Sequence, residues 1–142
     1  ARLAGLSPQG FVSPAIFENG RKIGIDLLEI QHDERRRLAV RRAEKASEGG
    51  TGIHTARWQF DEGVLEWANQ VLDEMSDAEF LIIDELGPLE LLENQGFVSA
   101  LKLVGERKYR LACVSIRPHL LGTAQERWPW AHTINITEGQ SS

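Results

Sequence analysis

The sequence predicts an α/β fold in which a mostly parallel sheet is flanked by helices in three layers, with a β-hairpin near the N-terminus. From residue 61 onward, helical and extended patterns alternate in the order helix, strand, helix, strand, helix, strand. The extended segments are uniformly apolar, as are parallel strands covered on both faces. Upstream, Asn19-Gly20 separates two apolar runs, which is typical of a tight hairpin turn.

Length and composition favour one domain over residues 1–142. The chain has 142 residues, 42% of them hydrophobic, and no apolar run long enough to span a membrane. Its single cysteine, Cys113, allows no internal disulfide, which favours a cytoplasmic protein. The net charge of -5 argues against a general nucleic-acid binder.

The first half of the chain contains the extended elements. Residues 10–30 predict the hairpin, and the run that begins at Arg35 predicts a strand with one solvated basic face. In that strand Leu38 and Val40 alternate with Arg37, Ala39 and Arg41. Residues 47–57 are rich in glycine and polar residues, which predicts a loop.

The second half begins with a helix capped by Asp61. Its apolar stripe has helical spacing and contains Val64, Ala68, Val71, Leu72 and Met75. A strand over residues 80–84 follows, and then a helix marked by Phe97, Leu101 and Val104.

Three further elements complete the alternation. Residues 110–116 form an apolar strand, and Pro118 can open a short helix that extends to about Glu126. Residues 133–137, TINIT, predict a last short strand.

Polar residues collect where the predicted parallel strands end, which is where ligands bind in such sheets. These residues are Asp84, Glu85, Ser115 and Arg117. An apolar strand that ends in Asp-Glu suits phosphoryl chemistry, because the aspartate can hold magnesium through water and the glutamate can polarise the attacking water. The alternative is that two acids stand there only because the strand reaches the surface.

Several separated segments resemble the thermophile-type nucleoside-triphosphatase family, a group of small P-loop proteins that also resemble nucleotide kinases. The resemblance rests on Gly10-Phe11, Pro14, the hairpin residues Gly20, Arg21 and Gly24, and the segment DELGPLEL from Asp84 to Leu91. FDEGVLEWANQVL and SIRPHLL also resemble family segments, so the similarity extends over roughly residues 5–137. It implies a P-loop NTPase-like fold and magnesium-dependent hydrolysis of a nucleoside triphosphate, such as ATP or GTP, to the diphosphate and phosphate.

The resemblance also assigns roles to individual residues. Asp84 would hold Mg²⁺, and Glu85 would be the catalytic base. Arg117 would be a catalytic residue that neutralises the terminal phosphate, although an arginine can equally cap a strand end in solvent. Glu90 is expected to support the turn after Pro88.

The phosphate-binding loop of such proteins, G-x-x-x-x-G-K-[ST], is not found in these 142 residues. Gly5 and Gly10 have the right separation, but Phe11 and Val12 stand where Lys and Ser or Thr belong. A second set of glycines, at Gly49, Gly50 and Gly52, has no lysine.

In the family, this loop and the central strand before it precede the Gly-Phe strand. We therefore expect an N-terminally truncated chain, in which two neighbouring strands have unpaired edges. Three explanations stay open: a longer gene product, a second chain or second copy that completes the sheet, and a degenerate relative without catalysis.

Two classes of function follow. The first is an enzyme, either a nucleoside triphosphatase or a nucleotide or nucleoside kinase. The second is a non-catalytic nucleotide-fold binding module that a partner chain completes. The basic run from Arg35 to Lys45 can bind nucleic-acid phosphates, but a solvated hairpin face is the favoured interpretation. Trp58 and Trp130, near predicted loops, are the candidates for base stacking.

Overall fold

The computed structural model describes residues 7–42, 53–55, 57–75 and 78–136. Within them the strands are β1 (Pro8–Val12), β2 (Ala15–Glu18), β3 (Arg21–Glu29), β4 (Glu34–Arg41), β5 (Trp58–Phe60), β6 (Ala78–Leu86) and β7 (Tyr109–Ile116). The α-helices are α1 (Glu62–Glu74), α2 (Pro88–Glu93), α3 (Val98–Glu106) and α4 (Leu121–Arg127), and a 3-10 turn at Pro118–Leu120 leads into α4. None of the helices in this part of the chain is long and apolar enough to cross a membrane.

All these strands belong to one mixed sheet with the order β5-β4-β3-β1-β6-β7, and β2 pairs with β3 outside this path. The pairs β1–β6 and β6–β7 are parallel. The other pairs, which involve β2, β3, β4 and β5, are antiparallel. The α/β prediction is confirmed as a mixed sheet with flanking helices. The sheet is not mostly parallel, because four of its six described strand pairs are antiparallel. Strands β6 and β7, which the sequence analysis predicted between helices, both take part in parallel pairs.

The predicted hairpin is present. Strands β2 and β3 pair antiparallel, with Glu18 opposite Arg21. Asn19 and Gly20 form the turn and have φ angles of 53° and 76°. Both values lie in the left-handed region that this kind of two-residue turn requires, which explains the Asn-Gly pair.

The basic strand β4 is present, but its predicted alternation is wrong at Val40. Leu38 and Ala39 are both buried, whereas 46% of Val40 is exposed. A bulge causes the difference: Ile25 pairs with Ala39 and Asp26 with Arg37, so that Leu38 has no partner in the ladder. An extra residue in one strand disrupts the regular in-out alternation of side chains.

Helix α1 begins as predicted, because the Asp61 side chain accepts a hydrogen bond from the backbone N-H of Val64 at 3.1 Å. It buries Val64, Leu65, Ala68 and Leu72. Trp67, on the same helix, meets Phe11 of β1 edge to face, with ring centroids 5.5 Å apart. The face of the sheet that carries Phe11 is therefore the face that α1 covers.

Paired residues of adjacent strands lie on the same face of a sheet. Ile83 pairs with Phe11 and also with Val114, so both lie on the helix-covered face. A cavity of about 180 Å³ is lined by residues of β7 together with Val104 of α3 and Ala124 of α4. Because Val114 also lines this cavity, α3 and α4 cover the same face as α1. These three helices form one layer, so the predicted arrangement with helices on both faces is not seen for them.

The expectation that two neighbouring strands have unpaired edges is wrong for β6 and β7. They pair directly in parallel, with Phe80 opposite Leu111 and Ile83 opposite Val114. Both strands are apolar and α3 connects them, so the two edges satisfy each other's backbone groups.

The expectation that the C-terminal strands are shielded on both sides is wrong for β7, because none of its residues is buried. It is the edge strand of the sheet. On the helix-covered face Ala112, Val114 and Ile116 are half-buried, whereas Cys113 is exposed on the other face.

The last predicted strand is also wrong for residues 133–136, which have no strand conformation. Ile134 and Ile136 are 85% and 71% exposed. Thr133 and Ile134 instead border the cavity beside β7, so this segment lies against the sheet face without joining the ladder. Thr137 and most of the predicted loop at 47–57 lie outside the described residues.

Candidate active site

The predicted site residues lie at the carboxyl ends of two adjacent parallel strands. Strand β6 is anchored by Leu81, Ile83 and Leu86, each at most 3% exposed. Asp84 and Glu85 lie between the last two of these and are half-buried. Arg117 immediately follows β7. The pairing of Leu86 with Ile116 brings these two strand ends together.

Glu85 and Arg117 form an ion pair. The Nε of Arg117 donates to one Glu85 carboxylate oxygen at 2.9 Å, and a terminal nitrogen donates to the other at 3.5 Å. Both side chains contact solvent, with 58% of Arg117 and 35% of Glu85 exposed. The sequence placed both residues in one site, and the structure brings them into direct contact.

Asp84 lies beside this pair on the opposite face of the sheet from α1. It pairs with Val12, the neighbour of Phe11 in β1, and successive residues of a strand alternate between faces. In the described part of the chain, its carboxylate forms no hydrogen bond or ion pair. A half-buried carboxylate with no partner in this part of the chain is available to a cation or to water.

Magnesium suits this donor set. The described residues contain no cluster of three or more His, Cys, Asp or Glu side chains placed to hold a metal. Mg²⁺ does not need such a cluster, since it is usually bound by one or two carboxylates together with waters and substrate phosphates. Asp84 can supply one such carboxylate.

Glu90 supports the turn that follows β6. It is 6% exposed, and its two carboxylate oxygens accept hydrogen bonds from the backbone N-H groups of Gly87, at 2.8 Å, and Phe97, at 3.0 Å. Burial raises the pKa of Glu90 above its ordinary value, although these hydrogen bonds oppose the rise. The predicted role of Glu90 in the turn is confirmed.

Gly10 belongs to strand β1 and not to a phosphate-binding loop. It has φ +120°, and a Cβ atom there would lie 2.0 Å from the carbonyl oxygen of Ile82. A glycine is required at this position because β1 and β6 approach each other closely there. Gly5, Gly49, Gly50 and Gly52 lie outside the described residues.

The tryptophans considered for base stacking have cations over their rings. Lys22 and Arg41 lie 5.2 and 5.9 Å from the Trp58 ring centroid, and Arg107 lies 4.3 Å from that of Trp130. These cation-π contacts account for both tryptophans without a bound base.

One charged cluster was not singled out from the sequence. Asp26, in β3, accepts a hydrogen bond from Nε of Arg35 at 2.7 Å and another from Nε of Arg37 at 2.6 Å. The signal was present, because two arginines at i and i+2 of a strand lie on one face. Finding it required knowing that Asp26 pairs with Arg37, and the bulge in β4 shifts that register.

Comparison with known proteins extends the resemblance. A family model described as NTPase matches residues 1–137. Nucleoside-triphosphatase THEP1 of Methanopyrus kandleri is 30% identical over 99 residues, which cover 69% of this chain and 51% of that protein. The chain thus spans about half the length of the curated relative it matches.

One solved structure is similar in fold, and a second gives a weaker match. A human cancer-related nucleoside triphosphatase gives a TM-score of 0.59 at 19% identity, covering 87% of this chain and 70% of that one. THEP1 from Aquifex aeolicus gives a TM-score of 0.44 at 16% identity, covering 84% and 68%. With the family match over residues 1–137, the chain belongs to the NTPase family.

Proposed function

We propose that this protein hydrolyses nucleoside triphosphates to the diphosphate and inorganic phosphate at the ends of β6 and β7. The observation that carries the proposal is the Glu85–Arg117 ion pair beside Asp84, whose carboxylate has no partner among the described residues. Membership of the NTPase family and the name of the Methanopyrus kandleri relative support the same reaction.

In this proposal Glu85 is the base that receives a proton from the attacking water. The water oxygen forms a bond to the terminal phosphorus, and the bond from that phosphorus to the bridging oxygen breaks. Its electron pair leaves on the nucleoside diphosphate. Glu85 suits the task because its carboxylate is partly exposed, within reach of solvent, and fixed in position by Arg117.

Arg117 has a second use in the proposal. It is 58% exposed, and a guanidinium has five N-H donors, of which the pair with Glu85 engages two nitrogens. The other donors can bind a terminal phosphate and stabilise the charge that develops there.

Asp84 would hold Mg²⁺, either directly or through water. When bound, Mg²⁺ supplies charge neutralisation at the outer phosphates. Asp84 and Glu85 both stand at the end of β6, so phosphates held through Asp84 would lie at the same strand end as the base.

A second function stays open because the 142 residues contain no G-x-x-x-x-G-K-[ST]. In that case the protein would be a non-catalytic nucleotide-fold binding module completed by a partner chain. Such a partner would have to bind elsewhere than between β6 and β7, because these two strands pair directly with each other. A nucleotide or nucleoside kinase would use the same carboxylate, with a substrate hydroxyl in place of water.

The test begins with the intact mass and N-terminal sequence of the natural gene product. Phosphate release from ATP and GTP is then measured with Mg²⁺ and with EDTA, for the natural protein, Asp84→Asn and the matched control Asp73→Asn on the exposed side of α1. The proposal requires Mg²⁺-dependent release that Asp84→Asn abolishes and Asp73→Asn leaves unchanged. An absence of release from the natural protein favours the binding module, and transfer to an added nucleotide without release favours the kinase.

A further inference from the structure

The Asp26 cluster has an unusual arrangement of charge. One carboxylate, 12% exposed in its side chain, holds two arginines that are each about half-exposed, at 50% for Arg35 and 47% for Arg37. Burial alone would raise the pKa of Asp26, but the hydrogen bonds and charges of the two arginines outweigh it and lower the pKa below its ordinary value. Asp26 is therefore ionised at neutral pH, and the cluster carries one net positive charge.

Each arginine uses only one of its donor groups in this cluster. The hydrogen bonds of 2.7 and 2.6 Å to Asp26 both come from Nε. Within the described residues, the terminal nitrogens of Arg35 and Arg37 form no hydrogen bond. Asp26 thus holds both guanidinium groups, one on each of its carboxylate oxygens, and about half of each arginine side chain stays exposed to solvent. One terminal nitrogen of Arg37 lies over Gly24 of β3. Planar N-H forks of this kind match the oxygens of a phosphate group.

The cluster also lies on the same face of the sheet as Asp84. Arg35 pairs with Leu28, Leu28 pairs with Val12, and Val12 pairs with Asp84, so one line of cross-strand neighbours connects them. Asp26 precedes Leu28 by two residues in β3. Because β3 runs antiparallel to β1 and β6, Asp26 lies closer than Leu28 to the end of the sheet where β6 ends. Adjacent strands are about 4.8 Å apart, which places Asp26's strand roughly 10 Å from that of Asp84.

We propose that Arg35 and Arg37, held by Asp26, form a binding site for a phosphate group of a small molecule. The group can come from the phosphate chain of a nucleoside triphosphate whose other end lies at Asp84, or from a separate phosphorylated compound. The site does not depend on the proposed hydrolysis, since it is defined by the two guanidinium groups alone.

The neighbouring basic residues favour a small ligand over a nucleic acid. Arg36, between the two arginines, points to the other face, where it pairs with Glu34 and lies 3.9 Å from the Trp67 ring centroid. Arg41 lies over Trp58, at the far end of β4. A nucleic acid is recognised by a series of cations along its backbone, whereas among the described residues two guanidinium groups come together on Asp26.

Isothermal titration calorimetry with inorganic pyrophosphate, in the absence of metal, tests the site on the natural gene product. The double variant Arg35→Gln/Arg37→Gln should bind pyrophosphate at least about tenfold more weakly, since a hydrogen bond to a charged group contributes enough for a factor of that size. Arg36→Gln is the control, because it removes one arginine charge from the same strand on the opposite face. It should bind like the natural protein.

Three results would overturn the site: no binding of pyrophosphate to the natural protein at millimolar concentration, unchanged affinity of the double variant, or equal weakening in Arg36→Gln. Circular dichroism verifies that each variant is folded. If the double variant is not, Arg35→Lys keeps the charge but lacks the planar fork. The site then requires that this variant also binds pyrophosphate more weakly than Arg36→Gln does.

Competition identifies the source of the phosphate group. If the cluster holds the phosphate chain of the nucleotide, a non-hydrolysable ATP analogue with Mg²⁺ displaces pyrophosphate. If it holds a separate compound, pyrophosphate binds to the protein already saturated with the analogue. Loss of hydrolysis in Glu85→Gln with unchanged pyrophosphate binding would separate this site from the proposed catalytic one.

Discussion

Arg117 donates its Nε hydrogen to Glu85 at 2.9 Å, and this contact joins the ends of β7 and β6 on the surface of the protein. The two residues are 32 positions apart in the chain, and they meet because the two strands are parallel neighbours. The pair therefore depends on the topology of the sheet, and its exposure makes it better suited to chemistry than to stability.

Replacing Arg117 tests this interpretation. An exposed ion pair contributes at most about 1 kcal/mol to the free energy of unfolding. Arg117→Ala should therefore leave urea unfolding almost unchanged while lowering phosphate release on the order of 100-fold, which is typical for the loss of one donor to a developing charge. Arg107→Ala is a control at a distant surface position. If Arg117→Ala and the natural protein had equal turnover, Arg117 would have no catalytic role and would only cap the end of its strand.

The close approach of β1 to β6 predicts that Gly10 tolerates no side chain. Gly10→Ala would place Cβ 2.0 Å from the Ile82 carbonyl oxygen at a φ of +120°. We expect a loss of about 2–5 kcal/mol from backbone strain and overpacking. The control is Gly105→Ala in α3, where a Cβ atom has no neighbour within 4 Å. It should stabilise the protein by about 0.5–1 kcal/mol, and urea unfolding followed by tryptophan fluorescence measures both. A mild effect at Gly10 would contradict the observed spacing of the two strands.

Glu90 predicts a specific dependence of stability on pH. Its pKa is raised in the folded state, so folding favours the protonated form. The resulting stabilisation is complete below the ordinary pKa of 4.5 and is lost as the pH rises through the folded pKa. Compared with Glu90→Gln, the natural protein should therefore be relatively more stable at pH 4.5 than at pH 7. Urea titrations of both proteins at the two pH values measure their free energies of unfolding. If the stability of the natural protein relative to Glu90→Gln were higher at pH 7 than at pH 4.5, the predicted sign would be wrong.

The sequence predicted most of the secondary structure because the signals were local. The turn at Asn19-Gly20 requires left-handed backbone angles at two adjacent residues. The cap at Asp61 requires only a hydrogen bond from the N-H group of Val64, three residues away. Such features depend on a few neighbouring residues, and they were confirmed. The ends of β6 and β7 could also be located, because each polar site residue directly follows an apolar run.

Features that depend on strand register or on neighbours in space were harder to predict. Val40 is exposed because of a bulge in β4, and no local sequence pattern predicts that bulge. Residues 133–136 have a composition typical of strands, but a strand needs a neighbouring strand to pair with. Within the described residues, no strand pairs with this segment. The Asp26 cluster was missed for the same reason, since its members meet only through the pairing of β3 with β4.

The most direct test concerns Glu85. Steady-state phosphate release and equilibrium nucleotide binding are measured on the natural gene product, Glu85→Gln and the matched control Glu106→Gln, an exposed residue at the end of α3. A general base contributes about 10²- to 10⁴-fold to the rate. If Glu85 is the base, kcat of Glu85→Gln falls by such a factor, nucleotide Kd changes little, and Glu106→Gln behaves like the natural protein. If kcat of Glu85→Gln equals that of the natural protein, the ends of β6 and β7 are not the catalytic site.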